Sequence, residues 1–133
     1  MKTKKYFVGS DSHVLLRNGK VGGVDLKTNN AVVKFLEEEG PWDGYIHLGD
    51  LFDFNVISAH NKGNLRAVAG EDVAGQFRAG NAYLEQHSQA SGTGVECGLT
   101  YKPFYLLEGN HEQRMERYLN ANPELAGTLD VKL

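Results

Sequence analysis

The chain has 133 residues, a formal net charge of -3, 41% hydrophobic and 23% charged residues, which allows one domain with a real core, leaves no room for two ordinary ones and excludes wholesale disorder. The charge balance gives no electrostatic reason to expect tight nucleic-acid binding, although a local basic patch stays open. A lone Cys97 excludes an intramolecular disulfide, the apolar run after the basic start Met1 to Lys5 is too short for a signal peptide, and no stretch approaches the roughly 20 apolar residues of a membrane span, so a soluble, cytoplasmic protein is expected.

Residues 4–9 read as a first strand, after which Asp11 and His13, two apart in an extended segment, point to one side and can grip one cation. Asn18-Gly19 then signals a hairpin within Val14 to Gly23, either a substrate flap or a plain connecting loop. A helix is expected from near Asp25 or Thr28, either able to cap it, through Val32, Val33, Phe35 and Leu36 to the Gly40-Pro41 stop. It forms the crossover of a βαβ unit, and its Glu37-Glu38-Glu39 run faces solvent. Tyr45 to Leu48 read as a buried central strand, and Gly49 turns the backbone into Asp50 and Asp53. A short helical piece from Phe54 to His60 is interrupted at 61–64.

From Leu65 the spacing Leu65, Ala69, Val73, Phe77, Gly80, Leu84 predicts a long packing helix. Ala-Gly pairs at 69–70, 74–75 and 79–80 recur at an interval that rotates around such a helix, so they read as chance, with the glycines weakening it. Residues 88–102 read as a surface loop and 103–108 as the third strand, which delivers Gly109-Asn110-His111-Glu112 into a helix ended by Asn122-Pro123. Thr128 to Leu133 resemble the opening of another capped helix that stops abruptly, which marks the single domain over residues 1–133 as incomplete.

Three strand ends thus offer Asp11, His13, Asp50, Asp53, Asn110 and His111, at the edge where open α/β sheets bind ligands. Carboxylates brought together in a partly desolvated cleft repel unless a cation lies between them. Mixed oxygen and imidazole donors suit Mn, Fe or Zn. Asp50, from the central strand, is best placed to bridge two ions, and two ions about 3.5 to 4 Å apart can hold a phosphate ester and lower the pKa of a shared water. His111, at the opening of a helix, falls on the leaving-group side, as a proton donor or a binder of the transition state. Asp53 can hold the other imidazole nitrogen and fix its tautomer. Of the remaining histidines, His47 packs or hydrogen-bonds within its strand and His87 is exposed or meets a helix dipole. His60 is an exposed loop residue, a stand-in ligand or a substrate contact.

The order Asp11-x-His13, Gly49-Asp50-x-x-Asp53, Gly109-Asn110-His111-Glu112 closely resembles the calcineurin-like metallophosphoesterases, over residues 6 to about 119. The resemblance implies that Asp11 and His13 bind a first metal, Asp50 bridges, Asn110 binds a second, and His111 is the catalytic histidine paired with Asp53. It implies two divalent ions (Mn, Fe or Zn) and hydrolysis of a phosphomonoester or phosphodiester by a metal-activated water. The family fold is a four-layer sandwich, and this chain carries strands for one half of it: an α/β, βαβ-type layered sheet with flanking helices. Phe54-Asn55 stands where many phosphoprotein phosphatases have Arg-Gly, which argues against that branch. The family's later His and Gly-His-x-His have no counterpart after His111, so the second ion would keep Asp50 and Asn110 alone and be weakly held.

Two other readings stand beside the enzyme. One is a non-catalytic binding or scaffold module with an incomplete metal site. The other is a nuclease in which Lys62, Arg66, Arg78, Arg114 and Arg117 line a groove for nucleic acid. The expected partners are a phosphate-ester substrate, no membrane, and a second copy through an uncovered sheet face.

Overall fold

The computed structural model describes residues 1–94, 96–97 and 100–129. The helix opening expected at 128–133 lies largely outside them. The elements follow in the order β1 (Tyr6–Gly9), β2 (Leu15–Arg17), β3 (Lys20–Gly22), α1 (Leu26–Glu38), β4 (Gly44–His47), α2 (Val73–Ser91), β5 (Glu96–Cys97), β6 (Thr100–Tyr101), β7 (Phe104–Leu106) and α3 (Gln113–Ala121). Short 3₁₀ turns occupy Asn55–Ile57, Ala59–Asn61 and Pro123–Leu125.

Strands β1, β4 and β7 form one parallel sheet with β4 in the middle, the α/β arrangement expected. Register aligns Phe7, Tyr45 and Phe104 on a single row, and because side chains alternate along a strand they share one face. Their rings touch, with centroids 4.9 Å apart for Phe7 and Tyr45 and 4.2 Å for Tyr45 and Phe104. Leu36 and Val32 of α1, Trp42 and Ala90 of α2 close over this row. The next row, Val8, Ile46 and Tyr105, faces the other way. Val8 keeps 53% and Tyr105 51% of its surface exposed, and Leu48 and Leu107 are exposed beside them. The sheet is therefore covered by helices on one side and open on the other.

Local chemistry explains where the elements start and stop. Asp25 is the N-cap of α1, its side chain accepting from the Thr28 N–H at 3.0 Å. The long helix begins at Val73 and not at Leu65, because residues 70–72 are claimed by the hairpin. The Asn18 N–H donates to the Gly70 carbonyl at 2.8 Å and the Asp72 N–H to that of Leu16, while Gly70 takes a left-handed φ of 79°. That run lies alongside β2 and cannot also be helical.

The glycines of α2 are not incidental either. A Cβ at Gly75 would lie 2.2 Å from Leu16 and one at Gly80 2.2 Å from Phe52, so both admit a neighbouring side chain. At its far end α2 runs to Ser91, into the segment expected to be loop, and Gly92 closes it with a φ of 64°. The antiparallel strands β5 and β6 follow. No helix among the described residues is long and apolar enough to cross a membrane.

Candidate metal centre at the strand ends

The exits of β1 and β4 run side by side as a continuation of the sheet. The Asp11 N–H donates to the Gly49 carbonyl at 3.2 Å, His13 to Asp50 at 3.0 Å, Val14 to Leu51 at 2.7 Å and Asp53 to Val14 at 3.0 Å. Val14, Leu51, Phe52 and Phe54 turn down into a buried cluster with Met115 of α3. Burial of each contributes about 1.5 to 3 kcal/mol, enough to anchor the rim. The polar residues between them are left on top. Asp11 and His13 do not lie in an extended segment as the spacing suggested. Both are left-handed, with φ of 54° and 47°, and so is Asp50 at 52°. Each such conformation costs on the order of 1 kcal/mol in a non-glycine residue, and such strain concentrates at functional sites.

The result is convergence of charge. Asp11, His13 and Asp50 each offer a ligand atom within 4.8 Å of the others, and His13, Asp53 and His111 form a second such group. Asp11 Oδ1 is 3.5 Å from His13 Nε2, and Asp53 Oδ1 is 3.7 Å from His13 Nδ1 and 3.6 Å from His111 Nδ1. The Ser10 hydroxyl, donating to Asp11, holds that carboxyl below its usual range against the opposing effect of burial, with help from His13. Asp11 stays ionised, ready for a cation. The third loop closes on the second through two glycines. A Cβ at Gly49 would lie 2.6 Å from the Gly109 nitrogen, and one at Gly109 would lie 2.2 Å from the Asp50 nitrogen. Asn110 follows at the surface, its Oδ1 accepting from Arg117 Nη2 at 3.1 Å.

His111 stands in the turn before α3, two residues ahead of the helix in which it was expected. Its backbone N–H donates to Asp50 Oδ1 at 2.7 Å. Arg114 donates through Nη2 to His111 Nε2 at 3.1 Å and through Nη1 to the Asp53 carbonyl at 2.9 Å. A guanidinium can only donate, so Nε2 accepts and the ring proton sits on Nδ1, which donates to the same Asp53 carbonyl at 2.7 Å. Asp53 thus orients the imidazole chiefly with its backbone oxygen, and its carboxylate lies between two histidines. His60 joins neither ligand group and stands exposed on a neighbouring turn.

Sequence reasoning missed two supports of this rim. Glu112, which reads as a helix-starting charge, is 6% exposed. Its Oε2 accepts from the N–H groups of Asp50 at 2.9 Å and Gly109 at 2.8 Å, and its Oε1 from that of Phe52 at 2.9 Å. One carboxylate therefore ties the second loop to the third. The signal available was its place directly after His111.

The second support is a buried hydrogen-bond chain behind Ser12. Asn29 Nδ2 donates to Gln86, so its Oδ1 accepts from His87 Nε2 at 2.7 Å, and His87 Nδ1 in turn accepts from the Tyr45 hydroxyl at 2.8 Å. Tyr83 stacks on the His87 ring, with centroids 4.0 Å apart. Ser12 donates to Tyr83 at 2.9 Å and accepts from His47 Nε2 at 2.9 Å, and His47 Nδ1 accepts from the Gly49 N–H. Within each of these two runs, Gly49 to Tyr83 and Tyr45 to Gln86, the donors point the same way, an arrangement that strengthens each bond and fixes Ser12 between Asp11 and His13. Burial pulls the His87 pKa down to about 4 and lowers that of His47, so both act as neutral links, and it raises those of Tyr45 and Tyr83. His47 hydrogen-bonds within the fold as its strand position suggested. His87 is fully buried, against the expectation of exposure, because α2 lays it on the central strand.

Parallel strands whose exits gather carboxylates and imidazoles on one rim define an α/β domain with a candidate divalent-metal centre. A family model for calcineurin-like phosphoesterases matches residues 5–131, and the chain belongs to that family. Its members act on phosphate esters, generally with divalent metals, and the groups Asp11, His13, Asp50 and His13, Asp53, His111 fit such ions by donor type and convergence. No curated protein and no solved structure matches the chain.

Proposed function

We propose that the chain carries the catalytic rim of a metal-dependent phosphoesterase that hydrolyses a phosphomonoester or phosphodiester. The observation that supports this most directly is the convergence of Asp11, His13 and Asp50, three residues from two strand exits, within 4.8 Å. Asp11, His13 and Asp50 would hold a first ion, and Asp50 with Asn110 a second, bound more weakly. The ions would neutralise phosphate charge and lower the pKa of a water.

The protein's own groups have distinct tasks. The His111 N–H holds the Asp50 carboxylate in place, and Glu112 keeps the two loops at that separation. Arg114, which donates to His111 Nε2 in the resting site, is positioned to turn its N–H bonds to a phosphate oxygen, which frees Nε2 to take up a proton from the attacking water and pass it to the leaving oxygen. Asp53 keeps the other ring nitrogen bonded throughout.

The test is turnover of p-nitrophenyl phosphate and bis(p-nitrophenyl) phosphate by the Mn-loaded protein, together with Mn binding by calorimetry. Asp50→Asn is expected to lower both turnover and Mn affinity by about a hundredfold. Turnover unchanged by this substitution would reject the reading. A binding module is the second reading, favoured by the engagement of Asn110 with Arg117. It predicts less than one Mn per chain and no hydrolysis of either ester.

A further inference from the structure

On the His111 side of the rim, the turns Asn55–Ile57 and Ala59–Asn61 stand opposite α3 and enclose a cleft of about 490 Å³ that reaches Asn110. Its walls carry Lys62, Arg114 and Arg117 and no acidic residue, on a chain whose net charge is -3. The cations are also uncompensated. Arg114 donates to the Asp53 carbonyl and the neutral His111 nitrogen, and Arg117 to the amide oxygens of Asn110 and Gln113. Among the described residues none of the three forms an ion pair with a carboxylate. Low-dielectric walls concentrate such a field, so the cleft attracts an anion. The remaining wall is apolar and includes Ile57, Val68 and Tyr118.

We propose that this cleft receives the leaving group of the ester, and that this leaving group carries a phosphate of its own joined to a flat apolar body. The proposal rests on the phosphoesterase reading for the term leaving group. The affinity of the cleft for such an anion does not depend on it. An ester whose scissile phosphorus lies beside Asp50 and Asn110 must extend its remainder somewhere. The Asp11 side offers an open surface, with that side chain 65% exposed, whereas the Asn110 side offers a walled space joined to His111 through Arg114. Its volume falls in the ordinary range for a small-molecule site, about 300 to 1,000 Å³, and a small alcohol would leave it largely empty. In the hydrolysis, water oxygen bonds to the scissile phosphorus and the P–O bond to the leaving group breaks with its electron pair on that oxygen. That oxygen takes up one proton originating from the water. The cleft is left holding a phosphorylated alcohol.

Adenosine 5′-monophosphate is such a product mimic. Binding of AMP, inorganic phosphate and adenosine to the EDTA-treated full chain, by calorimetry at low salt, tests the proposal. AMP should bind at least about tenfold more tightly than either fragment, and the affinity should fall as salt is added. Lys62→Ala and Arg117→Ala should each weaken AMP about fivefold to tenfold, Arg117→Lys should recover part of the loss, and Arg78→Ala, a cation outside the cleft, should change it by less than about twofold. AMP binding no tighter than phosphate, no tighter than adenosine, or indifferent to both cation substitutions would overturn the proposal. Turnover of p-nitrophenyl esters without any preference for AMP would sink the cleft assignment and leave the phosphoesterase intact. AMP binding without turnover would do the reverse.

Discussion

Replacing Glu112 with Gln tests whether one buried carboxylate holds the rim together. Glu112 accepts three backbone N–H bonds, two on Oε2 and one on Oε1, while 6% exposed. In the variant the amide oxygen can take the place of Oε2, and the NH₂ then meets the Phe52 N–H, donor against donor. A buried backbone donor left unpaired costs about 1 to 3 kcal/mol. The two surviving bonds lose the charge that roughly doubles such a bond, about another 1 kcal/mol in sum. The expected loss is therefore about 3 kcal/mol, a drop of roughly 10 °C in Tm for a domain of this size. Thermal melting by circular dichroism reads it, with Glu116→Gln, on the exposed face of α3, as the neutral control. Mn affinity should fall with stability, because Asp50 is held by the same clamp. A Glu112→Gln melting point within about 2 °C of the parent would refute the reasoning.

Other outcomes follow from the buried chain and the open face. His87 is neutral in the fold, with a pKa near 4 against an ordinary value of 6.5, so on acidification the unfolded chain takes up a proton first. Stability present above pH 6.5 is lost as pH falls from 6.5 toward 4, by up to about 3 kcal/mol, and His47 adds in the same direction. Urea midpoints of His87→Gln should decline less over this window, and a decline equal to the parent's would count against the assignment. Tyr83→Phe removes the acceptor of Ser12. It should cost about 1 to 2 kcal/mol in urea unfolding and weaken Mn binding severalfold, and a variant as stable as the parent would show the chain to be idle. Val8→Lys with Tyr105→Lys places two charges on the exposed row and should raise the protein concentration at which light scattering begins. An unchanged onset would show that the open face does not drive association.

The motifs alone determined which residues leave the strands. Apolar runs ended by glycine and acid suggest a strand exit, so the sequence pointed to Asp11, His13, Asp50, Asp53, Asn110 and His111 as neighbours on one rim of a parallel sheet ordered around β4; the structure gathers Asp11, His13 and Asp50 in one group and His13, Asp53 and His111 in another. Tertiary structure decided what those residues touch. Glu112 looked like a local helix charge, yet its partner Asp50 lies 62 residues away in the chain, beyond any short-range pattern. His87 looked like a helix-end histidine until packing laid it against Tyr45, and Leu65 looked helical until the hairpin claimed the backbone at 70–72. Arg114 could be counted among the cations, but only the turn before α3 aims it at His111. Periodicity reports the direction of a side chain relative to its own element. Which groups then meet, and which are stripped of water, depends on contacts made by distant parts of the chain.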